Sequence, residues 1–339
     1  MNRYAFWNNK GGTGKTSLAF QAICRWAEQH PDSRVLALDL CPQANLSELL
    51  LGGLTGQGSS NLNQLHQAKP RRSIGGYFEA RLPSPYSLPA LNPADYICIP
   101  SQLNPAIPKN VELVAGDPVV ELQANAIATL SNTQIPGIET WLKVIDWVSD
   151  FIGQLKGAYD AAFIDANPSF GMYTQIALSS ATHLVLPLMA DDSSRRGLQN
   201  ALSLVHGIQL PSPIYSQYSF TQKLSQAGRT LPRVHVVAKN RLTQYMGPAS
   251  AYQSVLTSID NLLASLLQLN PTVFTFTSLA NGIVEIRDFQ TTGVVAFAEG
   301  KPFSKVSAGN HYIGGKVTQV SADYIAFCQS AIDDLVSRL

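Results

Sequence analysis

Lys10-Gly11-Gly12-Thr13-Gly14-Lys15-Thr16-Ser17 stands between the apolar run Tyr4-Ala5-Phe6-Trp7 and a segment in which Leu18, Ala22, Ile23 and Trp26 recur at helical spacing. The run before it reads as a buried strand and the segment after it as an amphipathic helix, so the glycines fall where a strand turns into a helix. Glycines at such a junction let main-chain N–H groups close around a polyphosphate without Cβ clashes, and the helix N-terminus adds partial positive charge. The pattern predicts a phosphate cradle from Lys10 to Ser17. In it Lys15 reaches the terminal phosphates and Thr16 offers its hydroxyl to Mg²⁺.

Two further strand-like runs end in acids. Arg34-Val35-Leu36-Ala37-Leu38-Asp39 leads into Leu40-Cys41-Pro42-Gln43-Ala44-Asn45, and Tyr159-Asp160-Ala161-Ala162-Phe163-Ile164-Asp165 leads into Ala166-Asn167-Pro168-Ser169. An apolar strand ending in an acid presents a carboxylate at the C-terminal edge of a parallel sheet, beside the phosphate loop. More strands are expected at Tyr96–Ile99, Val111–Val114, His183–Pro187, Val234–Ala238 and Val273–Phe276. A helix is expected from Glu139 to Lys156, where Trp141, Ile145, Val148, Ile152 and Leu155 hold one face. Strands alternating with helices predict an α/β fold, a doubly wound and mainly parallel sheet with helices on both faces, in a single domain over residues 1–339. Gly52–Asn110, rich in Gly, Ser, Asn and Pro and carrying the basic Lys69-Pro70-Arg71-Arg72, is expected to be an insertion or extended loop region after the second strand.

The 339 residues, 45% of them hydrophobic, supply a substantial core. Cys24, Cys41, Cys98 and Cys328 lie far apart with no C-x-x-C pair, which argues against zinc, an iron–sulfur cluster or a secreted disulfide framework and for a reducing, cytoplasmic setting. His183 and His235 fall inside apolar strands and are expected as hydrogen-bonded core imidazoles. The net charge of +1 does not decide the partners, because a local basic patch can bind nucleic acid on a nearly neutral protein. Because the sequence opens on its first strand, neither a signal peptide nor an N-terminal helix-turn-helix domain is expected. No apolar run reaches transmembrane length. The final helix, with Ile325, Cys328, Ile332, Leu335 and Leu339 on one face, carries Asp323, Asp333 and Asp334 against Arg338, so it is expected to pack on the body and not on a membrane.

Against the generic G-x-x-x-x-G-K-[ST] loop, Asn9 stands at the first glycine and Lys10 follows it. This deviant form, with Asn8, resembles the ParA/MinD family of P-loop ATPases and its N-x-KGG-x-GK-[ST] pattern. Asp39, Pro42, Gln43 and Asn45 match the family's D-x-D-P-Q-x-N motif, and the run ending in Asp165 resembles its Walker B strand. The segment Asp191 to Leu198 resembles the turn and helix near the family's dimer face, and Gly300-Lys301-Pro302 its late G-K-P segment. Gly52–Asn110 and Leu210–Leu231 show no such resemblance.

The resemblance implies ATP and Mg²⁺ as cofactors, bound by Lys10, Gly11, Gly12, Thr13, Gly14, Lys15, Thr16 and Ser17, with Asn240 contacting adenine and Thr16 and Asp165 holding the ion. It implies a homodimer formed on ATP binding, in which Lys10 reaches the phosphates bound by the partner subunit, Lys15 stabilises phosphate charge and Asp39 supports the catalytic site. It further implies an ATPase switch that binds DNA without sequence specificity. Lys301, Lys305 and Lys316 are its candidate contacts, a ParB-like adaptor its candidate partner, and the partition or positioning of a plasmid, chromosome or other large cargo its role. Cys41 departs from the pattern, standing where the family has the second Asp that orients the attacking water. A thiol of reference pKa about 8.5 is mostly protonated at neutral pH and accepts hydrogen bonds poorly, whereas Asp, at about 3.9, is ionised. Slow hydrolysis is therefore expected. Two other readings are a nucleotide-locked scaffold with little hydrolysis and a metabolic P-loop enzyme of the dethiobiotin-synthetase type; the cross-dimer role of Lys10 speaks against the second.

Overall fold

A computed structural model describes residues 1–155, 157–189, 191–242 and 249–339. The strands are β1 (Asn2–Phe6), β2 (Val35–Leu40), β3 (Ile97–Cys98), β4 (Val111–Val114), β5 (Ala161–Ala166), β6 (His183–Met189), β7 (Arg233–Leu242), β8 (Ile283–Arg287), β9 (Gly309–Ile313) and β10 (Lys316–Val320). The first eight form one sheet in the order β3-β4-β2-β5-β1-β6-β7-β8. It is parallel except for β3, which runs antiparallel to β4 at one edge. Strands β9 and β10 make a separate antiparallel hairpin.

Residue alternation explains why both faces are covered. Ala5, Trp7, Leu36, Leu38, Ala162 and Ile164 enter one apolar core, and Tyr4, Phe6, Val35, Ala37, Ala161 and Phe163 enter the other. A strand buried on both faces needs apolar side chains at every position, and helices on each side supply the partners. Strand β1 lies between β5 and β6, where the chain order of the sheet reverses, so the loop that follows it opens into the crevice at the strands' C-terminal ends. The register sets Asp39 of β2 directly opposite Asp165 of β5, and Phe6 opposite Asp165 on the other side.

Several expectations need correction. Gly52–Asn110 is not mainly an extended loop: it contains helices at Gly58–Gln67 and Ile74–Arg81, and Ile74, Tyr77 and Phe78 are buried in the core. Two of its basic residues are paired within the fold. Arg71 forms a two-pronged pair with the buried Asp117, at 2.5 and 2.7 Å, and Arg72 donates to the Ile97 carbonyl. The expected helix over Glu139–Lys156 is two helices, Thr140–Ile145 and Trp147–Gln154, separated at Asp146; Lys156 lies outside the described residues. Val273–Phe276 is not a strand: a short 3₁₀ turn, Pro271–Val273, leads into it, and Phe274 makes one isolated bridge to Val234. The place beside β7 belongs to β8.

The final helix, Ala322–Val336, packs on the helix Lys15–Gln29, and Arg25 bonds Asp333 at 2.5 and 3.0 Å. No helix among the described residues is long and apolar enough to cross a membrane. His183 accepts or donates to Thr182 at 2.8 Å and His235 to Thr275 at 2.7 Å, in keeping with core imidazoles.

The 52–110 segment is fixed to the body by a main-chain contact that only glycines permit. A Cβ on Gly53, whose φ is +86°, would meet the backbone of Gly300 at 2.2 Å, and a Cβ on Gly300, φ +63°, would meet Gly53 at 2.3 Å. Both sides are backbone, so neither can swing away. Gly53→Ala is expected to destabilise the fold by about 2 kcal/mol or more, read as a lowered midpoint in urea.

Candidate nucleotide-binding site

The helix Lys15–Gln29 begins at Gly14, with φ +88°, and has no capping side chain and no acid in its first turn. Its leading N–H groups are thereby left for an anion. A Cβ added at Gly11 or Gly12 would meet nothing within 4 Å, so the loop encloses open space. The two lysines take opposite courses. Lys15 is buried, and its Nζ donates to the Lys10 carbonyl at 3.1 Å across the mouth of the loop. Lys10 turns away: its Nζ donates to both carboxylate oxygens of Asp191, at 2.7 and 2.6 Å, and to Ser194 Oγ at 3.2 Å. Burial lowers the Lys15 pKa, partly offset by Asp165, as suits a cation waiting for phosphate.

Thr16 Oγ1 donates to Asp165 Oδ2 at 2.7 Å, while Asp165 Oδ1 is buried without a hydrogen-bond partner. A half-buried hydroxyl bonded to a buried carboxylate with one orphaned oxygen fits Mg²⁺ and its water shell, and the open glycine loop fits a polyphosphate. Asp39, fully buried, accepts from Ser47 N at 2.9 Å, Ser47 Oγ at 2.8 Å and Cys41 N at 3.1 Å. Burial raises the pKa of both carboxyl groups. Asp39 raises that of Asp165 further, while Thr16 and Lys15 pull it back. A divalent cation here would relieve that repulsion.

Cys41 is buried at the same edge, and its thiol is pushed up to about 12 by burial and by the negative charges of Asp39 and Asp165. At neutral pH it is a thiol and cannot take a proton from water. Ala44 behind it has φ +53° and Arg241 has φ +57°, so two non-glycine residues in left-handed conformations flank the site.

Asn240 is brought onto the loop. Its Nδ2 donates to the Thr13 carbonyl at 3.0 Å and lies where a Cβ of Gly14 would be. Beside it is a cleft of about 320 Å³, lined by Ser17, Asn240, Arg241 and Asp288 among others. Lys301 pairs with Glu299 at 2.7 Å. Lys305 ends a 3₁₀ turn and Lys316 is the first residue of β10. Sequence reasoning missed Ser47 and the Asp191–Ser194 grip on Lys10; the position of Ser47, eight residues after Asp39, was the one available signal for the former.

A family model described as an AAA domain matches residues 130–213, which include Asp165 and Asp191. The virulence plasmid ParA family protein pGP5-D of Chlamydia muridarum is 25% identical over 211 residues, covering 62% of this chain and 64% of the relative. The cell division protein PomZ of Myxococcus xanthus is 27% identical over 209 residues, covering 61% and 52%. The chain is similar in sequence to ParA-family proteins. The matched stretch spans less than two thirds of either relative's length. The ParA-like fold is shared with an ATP complex of a variant of McdA from Cyanothece, at a TM-score of 0.62 and 14% identity over 100% of this chain and 96% of that one.

Proposed function

We propose that this chain is an ATP-dependent dimerising switch of the ParA type, slow in hydrolysis, that binds DNA non-specifically as the ATP dimer in the partition or positioning of a large cargo in the cytoplasm. The observation that carries the reading is the opposed course of the two lysines. One closes the phosphate loop from inside, and the other is held at the rim by Asp191 and Ser194. A lysine with no role outside its own subunit has little reason to be carried past its own loop.

Thr16 and Asp165 would hold Mg²⁺, which would supply neutralisation of the phosphate charge. The chain's own residues do the rest. Gly11 to Gly14 supply main-chain N–H groups, Lys15 draws charge from the terminal phosphates, and Asn240 braces the loop beside the cleft that would take adenosine. Asp39 holds the Cys41–Ser47 turn through three hydrogen bonds. On dimer formation Lys10 exchanges Asp191 for the partner subunit's phosphates. Relatives named for plasmid and cell-division roles support the cargo-positioning part. A ParB-like adaptor is the expected protein partner.

The neutral Cys41 thiol favours a long-lived ATP dimer, so the nucleotide-locked scaffold is the second reading. One experiment tests the proposal: the mass of wild type and of Lys10→Ala in Mg·ATP, with and without random-sequence DNA. Wild type is expected to double in mass and to bind DNA with an affinity that falls steeply with salt. Lys10→Ala is expected to keep nucleotide binding, remain monomeric and lose DNA. Normal dimerisation by Lys10→Ala would sink the reading.

A further inference from the structure

We infer that a cavity of about 640 Å³ next to the phosphate loop is a binding site for an aromatic monoanion, such as an aryl carboxylate. The cavity lies between the helices Met172–Ser180 and Asp192–His206 on one side and Pro213–Tyr218 and Phe220–Gln226 on the other. Its volume is that of a small-molecule pocket, and its lining mixes aromatic and aliphatic side chains with four side-chain amides, two serines and Lys223.

Three rings build an aromatic corner. Phe220 meets Trp141 edge-on at 6.1 Å and Phe170 edge-on at 5.7 Å, so one more flat ring would find both faces and edges to pack on. The charge balance sets the sign of the ligand. Lys223 is the one charged residue among the described residues lining the cavity, its Nζ lying 5.1 Å from the centre of the Trp141 ring, and no Asp or Glu lines the cavity. Burial lowers the Lys223 pKa, the expected result of a cation with apolar neighbours, and an anion beside it would reverse that effect.

The position is independent of the nucleotide machinery yet adjoins it. The outer wall comes from the stretch Leu210–Leu231, which shows no resemblance to the ParA/MinD pattern. The inner end is Asn9, the residue before Lys10.

Calorimetric titration of the full chain with 2-naphthoate and with its cationic counterpart, 2-naphthylmethylammonium, tests the inference. Naphthoate is expected to bind saturably at one per chain, and the cation at least tenfold more weakly. Lys223→Met is expected to bring the two within about twofold of each other. Leu204→Trp, which fills the cavity from the helix Asp192–His206, is expected to abolish naphthoate binding, with thermal unfolding checking that the variant is folded. Three results would each overturn the site: no saturable naphthoate binding by wild type, unchanged discrimination in Lys223→Met, or undiminished binding by folded Leu204→Trp.

Discussion

Lys15→Ala is expected to lose at least a hundredfold in Mg·ATP affinity while unfolding at the same temperature as wild type. The Nζ of Lys15 makes its contact across the loop mouth, to a main-chain carbonyl, and the attraction it loses to Asp165 is offset by relief from burying its own charge. What disappears is the charge-assisted contact to the terminal phosphates. A hydrogen bond to a charged group contributes about 1.5–3 kcal/mol, and a lysine between two phosphates makes more than one, so a loss near 3 kcal/mol, or a hundredfold, is a conservative expectation. Fluorescent ATP-analogue titration reads the affinity and a melting curve reads the fold. Near-native affinity in a folded variant would refute the phosphate-loop assignment.

Cys41→Asp is expected to raise ATP turnover at least tenfold with little change in ATP affinity. The thiol, at about 12, is neutral over the whole physiological range, so the wild-type chain offers no base at that position. Positioned acid–base groups typically contribute about 10²–10⁴ in rate, and recovering part of that places the effect on the chemical step. The substitution has a cost that serves as an internal check. A third carboxylate beside Asp39 and Asp165 meets the same burial and repulsion that already raise those two groups, so the nucleotide-free variant should melt lower than wild type, and with ATP affinity unchanged Mg·ATP should raise both melting temperatures by about the same amount. If wild-type turnover is already brisk and the variant no faster, another residue handles the water and Cys41 only packs.

The sheet and the phosphate loop could be read from the sequence because their signals are local. β1, β2 and β5 are mainly apolar runs, and the glycine loop sits where such a run gives way to apolar residues at helical spacing. The segment Gly52–Asn110 was opaque because its helices are short and set among glycines and prolines. Their stability comes from long-range partners such as Asp117, which takes Arg71 from 46 positions away. The helix over 139–154 kept a single apolar face through Asp146, so periodicity carried the expectation straight across the break. Phe274 and Phe276 alternate like a strand, but among the described residues they make a single isolated bridge, to Val234, and the ladder along β7 from Val237 onward belongs to β8. The grip on Lys10 joins residues 181 positions apart and leaves no local trace.

That grip also fixes which stimulus could release it. Asp191 is only partly buried, and hydrogen bonds from Lys10, Ser193 and Ser194 outweigh the effect of burial and hold its carboxyl down at about 2. Over any pH a cell reaches, the aspartate stays ionised and its pull on Lys10 does not fade. In the proposed cycle, acidification is therefore no trigger, and a competitor must outbid one carboxylate with denser negative charge. A terminal phosphate does so and a diphosphate without it does less, so the threshold for assembly becomes a reading of the ratio of ATP to ADP.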